Sequence, residues 1–358
     1  MSVTTKKKEK VKFSKAFWVA NTVELLERAA YYGVFVVITL YLSNVLGFTD
    51  IQAATIAGVF SACLYLLPTF SGALADKIGF RKSMLLAFTL LSLGYLGLGL
   101  FPNFLASTGL VEYGYVTKFT GLQESGYRYG IIPIMILIIV GGSFIKSVIS
   151  GTVAKETDEK SRARGFAIFY GMVNIGAFFG PLVTLLFKGT SSLIFYVSAG
   201  IISLNFILLL FYKEPGRIEN TKSTERLFET FAGIFRNMGS ILKDVKFIVF
   251  LLIVAGFWTM YNQLFFTLPV FISQWVDTSV LYDFFQAHFP FISYNYSPAS
   301  GVMDPEFVTN IDALYIILFQ VMVSSVVMKM KPLRSMMSGF LVFISSVLTV
   351  RNSCPRSS

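Results

Sequence analysis

The stretch Glu24-Leu25-Leu26-Glu27-Arg28-Ala29-Ala30-Tyr31-Tyr32-Gly33 decides the reading of this chain. It lies inside an apolar segment that runs from about Phe17 to Leu42. Charged side chains in a segment long enough to span a bilayer are expensive wherever lipid surrounds them. Glu24, Glu27, Arg28 and Tyr31 recur at helical spacing and share one face. Val23, Leu25, Leu26, Val34 and Val36 suit lipid or packed neighbours. The charged face therefore looks into a protein interior or a water-filled cavity. A Glu27–Arg28 pair that only holds helices together is the plain alternative. Apolar packing replaces such a pair at little cost, and Glu24 would then have no purpose. Two carboxylates beside a fixed positive charge can instead take up and release a proton.

The rest of the chain agrees with a membrane setting. Of its 358 residues 54% are hydrophobic and 14% charged, with mean hydropathy +0.67. Soluble domains carry about 25% charged residues, so a single soluble core is excluded and the fold class is an all-α polytopic membrane protein. Phe contributes 37 residues, which suits lipid-facing surfaces. The net charge of +10 would suggest nucleic acid in a soluble protein; here the position of the charges matters more. Cys63 and Cys354 support neither a disulfide framework nor a metal site, and His288 is the only histidine. The basic start leads into a span too long and too charged for a cleavable signal peptide.

Nine apolar segments read as spans, at 17–43, 51–75, 84–102, 130–153, 165–187, 191–212, 247–272, 310–328 and 334–350. Most of the 30 Lys and Arg residues fall in the N-terminal tail and in alternate connections: Lys77, Arg81 and Lys82, then Lys155 to Arg164, Lys213 to Lys246, and Lys329 to Arg334. That alternation places the N-terminus in the cytoplasm. The odd span count leaves the C-terminus outside. The long polar stretch 213–246 separates six spans from the rest and holds an amphipathic piece, Leu227 to Leu242, suited to the inner membrane surface. The aromatic segment 276–309 is expected to pack on the protein or at the interface. The tail 351–358 has no apolar pattern.

Four further groups carry information. In Gly72 to Lys82, Gly72 allows close helix approach, Asp76 can cap a neighbouring helix N-terminus, and Gly79 permits a tight turn. Lys146 lies mid-span after Gly141 and Gly142 and should face a cavity or a carboxylate. Tyr170 and Asn174 share a face of the fifth span. Trp258 shares a face with Tyr261, as Thr259 does approximately with Asn262 and Gln263, in the seventh. Amides there can hold a small polar ligand or simply tie helices together.

Three of these stretches together resemble one family. Gly72 to Lys82 resembles the loop motif of the major facilitator superfamily. Glu24 to Gly33 resembles the ExxER…YYG signature of its proton-dependent oligopeptide transporter family. Phe166 to Gly176 resembles that family's span-five signature, with Val173 where Ile is usual; Lys146, Trp258 and Gln263 match further positions. The resemblance implies twelve spans in two six-helix bundles, a substrate site between them and alternating access. It implies a symporter importing di- and tripeptides or related small organic solutes, driven by protons and needing no other cofactor. Glu24, Glu27, Arg28 and Lys146 would couple protons. Tyr31, Tyr32, Lys146, Asn174, Trp258, Tyr261, Asn262 and Gln263 would line the substrate site. Gly72, Asp76, Gly79, Arg81 and Lys82 would form the conformational loop. The expected partners are a peptide or organic solute, protons and the lipid bilayer; nucleic acid is not expected. A monomer in a bacterial plasma membrane is implied.

Three positions depart from that pattern. Phe35 stands where peptide transporters carry Arg, and Asn262 stands where they carry Glu. Those two side chains form an ion pair in the family, so both partners are absent together, and no lone buried charge is left. Ser147 replaces a usual proline. The implied organisation is a complete N-terminal bundle over 1–212, the linker with its amphipathic helix over 213–246, a partial C-terminal bundle over 247–350 and the tail. Spans ten to twelve, with the carboxylate that should face Lys146, lie beyond residue 350. The chain is therefore expected to be a fragment or a frameshift product. A non-transporting membrane sensor and an inactive truncated product are the alternatives; a membrane enzyme is disfavoured by the lack of a metal motif or nucleophile–base set.

Overall fold

The computed structural model describes residues 12–109, 111–116, 119–122, 125–159, 161–185, 191–215, 243–295, 301–327 and 330–353, with a few isolated positions in 232–241 and at 297. Among the described residues, the regular structure is helical apart from one two-stranded ribbon. It divides into two compact units, Met1–Ile311 and Asp312–Ser358.

Helix α1 (Lys15–Leu40) starts at Ser14, whose Oγ accepts from Phe17 N at 3.0 Å, and runs on through a π-helical turn, Tyr41–Val45. A capping box at Thr49 and Gln52 opens α2 (Asp50–Leu66). Pro68 then begins α3 (Pro68–Ile78); a proline ring cannot continue the hydrogen-bond ladder, and the two helices meet at 44°. Gly79, at φ +95°, turns the chain into α4 (Phe80–Ser107).

A hairpin of β1 (Tyr113–Val116) and β2 (Phe119–Leu122) follows, pairing Tyr113 with Leu122 and Val116 with Phe119. Next come α5 (Ile131–Lys155), α6 (Arg162–Leu185) and α7 (Ser191–Phe211). Past the link lie α8 (Val245–Phe266) and α9 (Leu268–Trp275), then α10 (Ser279–His288) and α11 (Pro290–Asn295). The last helices are α12 (Pro305–Val327) and α13 (Pro332–Ser353).

Within the described residues, every apolar segment expected from the sequence forms helix, with the second and seventh divided into α2–α3 and α8–α9. By length and composition, six helices among the described residues can cross a membrane, or seven with the bent α2–α3 pair. In α12 and α13 the qualifying apolar runs are the shorter Phe307–Ile316 and Leu333–Ser345. The segment 276–309 is not a plain loop: α10 and α11 fold over Met303 and Phe307, with Leu281, Tyr282, Phe285 and Ile292 packed against them. Arg351 to Ser353, read from sequence as tail, form the end of α13. Most of the 213–246 link, its amphipathic piece included, lies outside the described residues.

The core joins α1 to α7. Helix α1 packs on α6 and α7, α4 on α5 and α7, and α3 on α5. The closest approach is between α1 and α6. A Cβ placed on Gly176 would lie 2.7 Å from both Leu25 O and Arg28 Cβ, and one on Gly180 would collide with Ala29 O. Gly176 and Gly180 are four residues apart, as are Ala29 and Gly33. This is the small-residue seam by which membrane helices bring backbones together. It fixes the charged turn of α1 against α6. By contrast α8 is apolar and open: Leu252, Ile253 and Trp258 are all more than half exposed.

Candidate functional site

Glu24 and Glu27, at 3% and 1% exposure, are buried inside the bundle, with Arg28 between them. The guanidinium Nε donates to Glu27 Oε2 at 2.6 Å, and Nη2 reaches the same oxygen at 2.5 Å. The Nε also lies 3.3 Å from Glu24 Oε1. Charge-assisted contacts of this length are the strong kind. Glu24 Oε2 is buried and has no hydrogen-bond partner among the described residues. One arginine thus serves two carboxylates, and it serves Glu27 better.

Next to this cluster is a cavity lined by Glu27, Arg28 and Tyr31 of α1, Tyr65 of α2, Tyr95 of α4 and Lys146 of α5. Its enclosed part has about the size of one water molecule. The helices close on it through glycine. A Cβ on Gly141 would lie 2.9 Å from Ala87 O of α4, and one on Gly142 would lie 2.9 Å from Leu64 of α2. The Arg28 guanidinium lies 4.9 Å from the Tyr31 ring centre, within cation–π range. Tyr31 stacks on Phe35 at 5.2 Å and 20°, and meets Tyr32 edge-on at 5.2 Å. Phe35 is buried, so the position where the family carries Arg is closed by an aromatic pair.

The sequence reading expects Lys146 to answer the carboxylates. It reaches their cavity, yet its ammonium sits 3.8 Å over the Tyr65 ring, and no carboxylate lies within ion-pairing distance of it among the described residues. The ring face offers a cation attraction without the desolvation a full ion pair entails.

Other expected residues lie elsewhere. Tyr32 and Asn174 are half-buried beside the cavity-lining helix, outside its wall. Trp258 is 52% exposed and packs edge-on against Tyr261 at 5.4 Å. Asn262 donates to Trp258 O at 2.9 Å and Gln263 to Thr259 O at 3.3 Å. These amides bind their own helix and do not reach the Glu27–Lys146 cavity. Tyr65 and Tyr95 do line it, and the sequence reading passed over both. Each is a lone tyrosine in an apolar run, with no charged neighbour to draw attention to it. The Tyr95 hydroxyl is buried without a partner among the described residues.

The loop motif is a second structured place. Gly72 meets Ser147 of α5 at Cβ distance 3.4 Å. Asp76 is exposed and lies 3.8 Å from Lys155 Nζ. It does not cap α4. That role falls to Glu214, just past α7, whose Oε1 accepts from Phe80 N at 2.7 Å, where the helix dipole favours an anion. Gly79 makes room for it: a Cβ there would stand 3.1 Å from Glu214 Oε1. Arg81 and Lys82 point outward in the first turn of α4.

The model of the Major Facilitator Superfamily matches residues 22–350. The chain belongs to that superfamily. The dipeptide and tripeptide permease A of Salmonella typhi is 32% identical over 176 residues, covering 48% of this chain and 30% of the permease. The permease of the same name from Erwinia pyrifoliae is 26% identical over 254 residues, covering 70% of this chain and 45% of its own length. The matched part is thus less than half the length of these curated relatives. Among solved structures, a bacterial homologue of the human drug peptide transporters PepT1 and PepT2 superposes with a TM-score of 0.62 at 18% identity, over 88% of this chain and 71% of that one. A POT family transporter solved with 5-aminolevulinic acid gives 0.55 at 21% identity, over 88% and 70%. The resemblance to the proton-dependent oligopeptide transporter family, read from the motifs, is borne out. The chain is an integral membrane protein.

Proposed function

We propose that this superfamily member is a proton-coupled symporter that imports short peptides or related small organic solutes by alternating access, with its N-terminus in the cytoplasm of a bacterium. The observation that carries the reading is the buried Glu24–Arg28–Glu27 cluster opening on a cavity that holds Lys146. Arg28 stays charged and compensates one carboxylate. The second needs either the Lys146 ammonium or a proton, because a bare buried charge is costly. Proton and lysine therefore compete for one site, and binding of one releases the other. That exchange is the elementary step of coupling. The organisation that goes with it is an N-terminal six-helix bundle over 1–212, the link 213–246 and helices of a second bundle from 247 onward. The relatives named as dipeptide and tripeptide permeases, and the relative solved with 5-aminolevulinic acid, support the substrate class.

The test is uptake of radiolabelled dialanine into proteoliposomes under an inward proton gradient. Glu24→Gln and Glu27→Gln should each abolish accumulation above equilibrium while counterflow exchange of dialanine continues. Accumulation at the unmodified level in both variants refutes the coupling role.

A further inference from the structure

Lys146 and Ser147 are adjacent on α5, and both reach the break in the second span from opposite sides of it. Before the break, Tyr65 carries the Lys146 ammonium on its ring at 3.8 Å. After it, Ser147 Oγ donates to Pro68 O at 2.8 Å and lies 3.3 Å from Ser71 Oγ. Gly72, one turn further on, lets α3 settle against the same serine at 3.4 Å. The 44° bend between α2 and α3 is therefore held at both ends by two consecutive residues of α5.

From this geometry we infer that Tyr65 is a positioning residue, which holds Lys146 away from the buried carboxylates, and that Ser147 ties the same lysine turn to the bend. The inference rests on the coupling role proposed for Lys146. The groups around the ammonium are Glu24, Glu27, Arg28 and Tyr31 from α1, Tyr65 from α2 and Tyr95 from α4. Arg28 repels it, the two carboxylates attract it, and the Tyr65 ring offers the competing place. When a proton occupies the carboxylates, the lysine rests on Tyr65 and the bend is clamped. When the proton leaves, the lysine is drawn toward α1 and the clamp on the Tyr65 side loosens. The motif loop at the end of α3 follows the bend directly, so the proton's departure is communicated to that loop through α2 and α3.

The experiment uses the full chain in lipid nanodiscs and proteoliposomes, with Cys354→Ser so that Cys63, two residues before Tyr65, is the reporter thiol. Tyr65→Phe keeps the ring and Tyr65→Leu removes it. Lost cation–π attraction should raise the rate of Cys63 alkylation by N-ethylmaleimide roughly 2- to 30-fold in Tyr65→Leu, and leave Tyr65→Phe at the unmodified rate. The same loss frees Lys146 to compete with protons. The half-maximal pH of proton-driven dialanine uptake should then fall by about 0.4–1.5 units in Tyr65→Leu only. Ser147→Ala should raise alkylation and leave the pH midpoint in place.

Equal alkylation and equal pH profiles in the Phe and Leu variants overturn the role of Tyr65. An unchanged alkylation rate in Ser147→Ala overturns the tie to the bend. Alkylation needs no transport, so the two readings fail separately. If the alkylation pattern holds and uptake proves independent of protons, the clamp stands and the symport reading falls. If uptake is proton-driven and the Phe and Leu variants behave alike in both assays, symport stands and the clamp falls.

Discussion

Replacing Gly176 by Ala tests the seam that seats the charged turn of α1. The added Cβ would lie 2.7 Å from Leu25 O and from Arg28 Cβ, where ordinary contact begins at 3.4 Å. One of the two helices must therefore shift by about 0.7 Å. The obstacle at Leu25 is backbone, which cannot rotate aside. Overpacking of this kind costs about 1–3 kcal/mol. Alanine also returns about 1 kcal/mol, because it is the better helix former. Gly171→Ala on the same helix isolates that return, since a Cβ there meets nothing within 4 Å. The two variants should differ by about 1–3 kcal/mol, which at roughly 2 °C per kcal/mol is a gap of about 2–6 °C in midpoint. The assay is thermal unfolding in detergent at one scan rate, since membrane proteins commonly unfold irreversibly, with dialanine uptake measured alongside. Gly176→Ala should be the less stable variant and should lose uptake, because the shift moves Arg28 relative to Tyr65 and Lys146. A Gly176→Ala protein as stable as Gly171→Ala, with uptake intact, refutes the close contact of α1 with α6.

Two other places give sharp expectations. Glu214→Ala removes the acceptor on Phe80 N and should destabilise by about 1–2 kcal/mol. Gly79→Ala forces a side chain to φ +95° and should cost about as much. Because both changes disturb one cap, the double variant should lose less than the sum in a thermal-shift cycle. At the other end of the bundle, Arg128 is 2% exposed, donates to Gly47 O at 2.5 Å and lies 4.6 Å over the Phe48 ring. Arg128→Met should cost about 2–3 kcal/mol and speed hydrogen exchange at the Leu46 and Phe48 amides, which close the end of α1. Unchanged exchange there would show that Arg128 does not hold that end.

The fold class was legible because bilayer thickness writes itself into sequence as runs of about 20 apolar residues. The broken spans were not, although Pro68 sits in plain view. A proline says that a ladder bond is missing, and whether the helix then kinks or stops depends on what catches the freed carbonyls. Here Ser147, on another helix, holds the bend by donating to Pro68 O. The same limit explains Asp76 and Glu214. Both are carboxylates near the α4 N-terminus in space, and only Glu214 can be found by following the chain 134 residues on.

The charged turn itself was the most legible feature, and its partner the least. Glu24, Glu27 and Arg28 stand out because burying charge in a span has no cheap explanation. Pairing Lys146 with them was the simplest inference from charge alone, since opposite charges in one bundle should meet. The structure instead shows the lysine over Tyr65, a residue that carries no charge and leaves no pattern in the sequence. On the proposed coupling, one Arg against two carboxylates and one Lys is a set with two arrangements, differing in where a proton resides. A sequence fixes the members of such a set and leaves the arrangement open. If the protein is a coupled transporter, that openness is what it uses. The partner of Lys146 is then a variable of the working cycle, and Tyr65 supplies one of its two values.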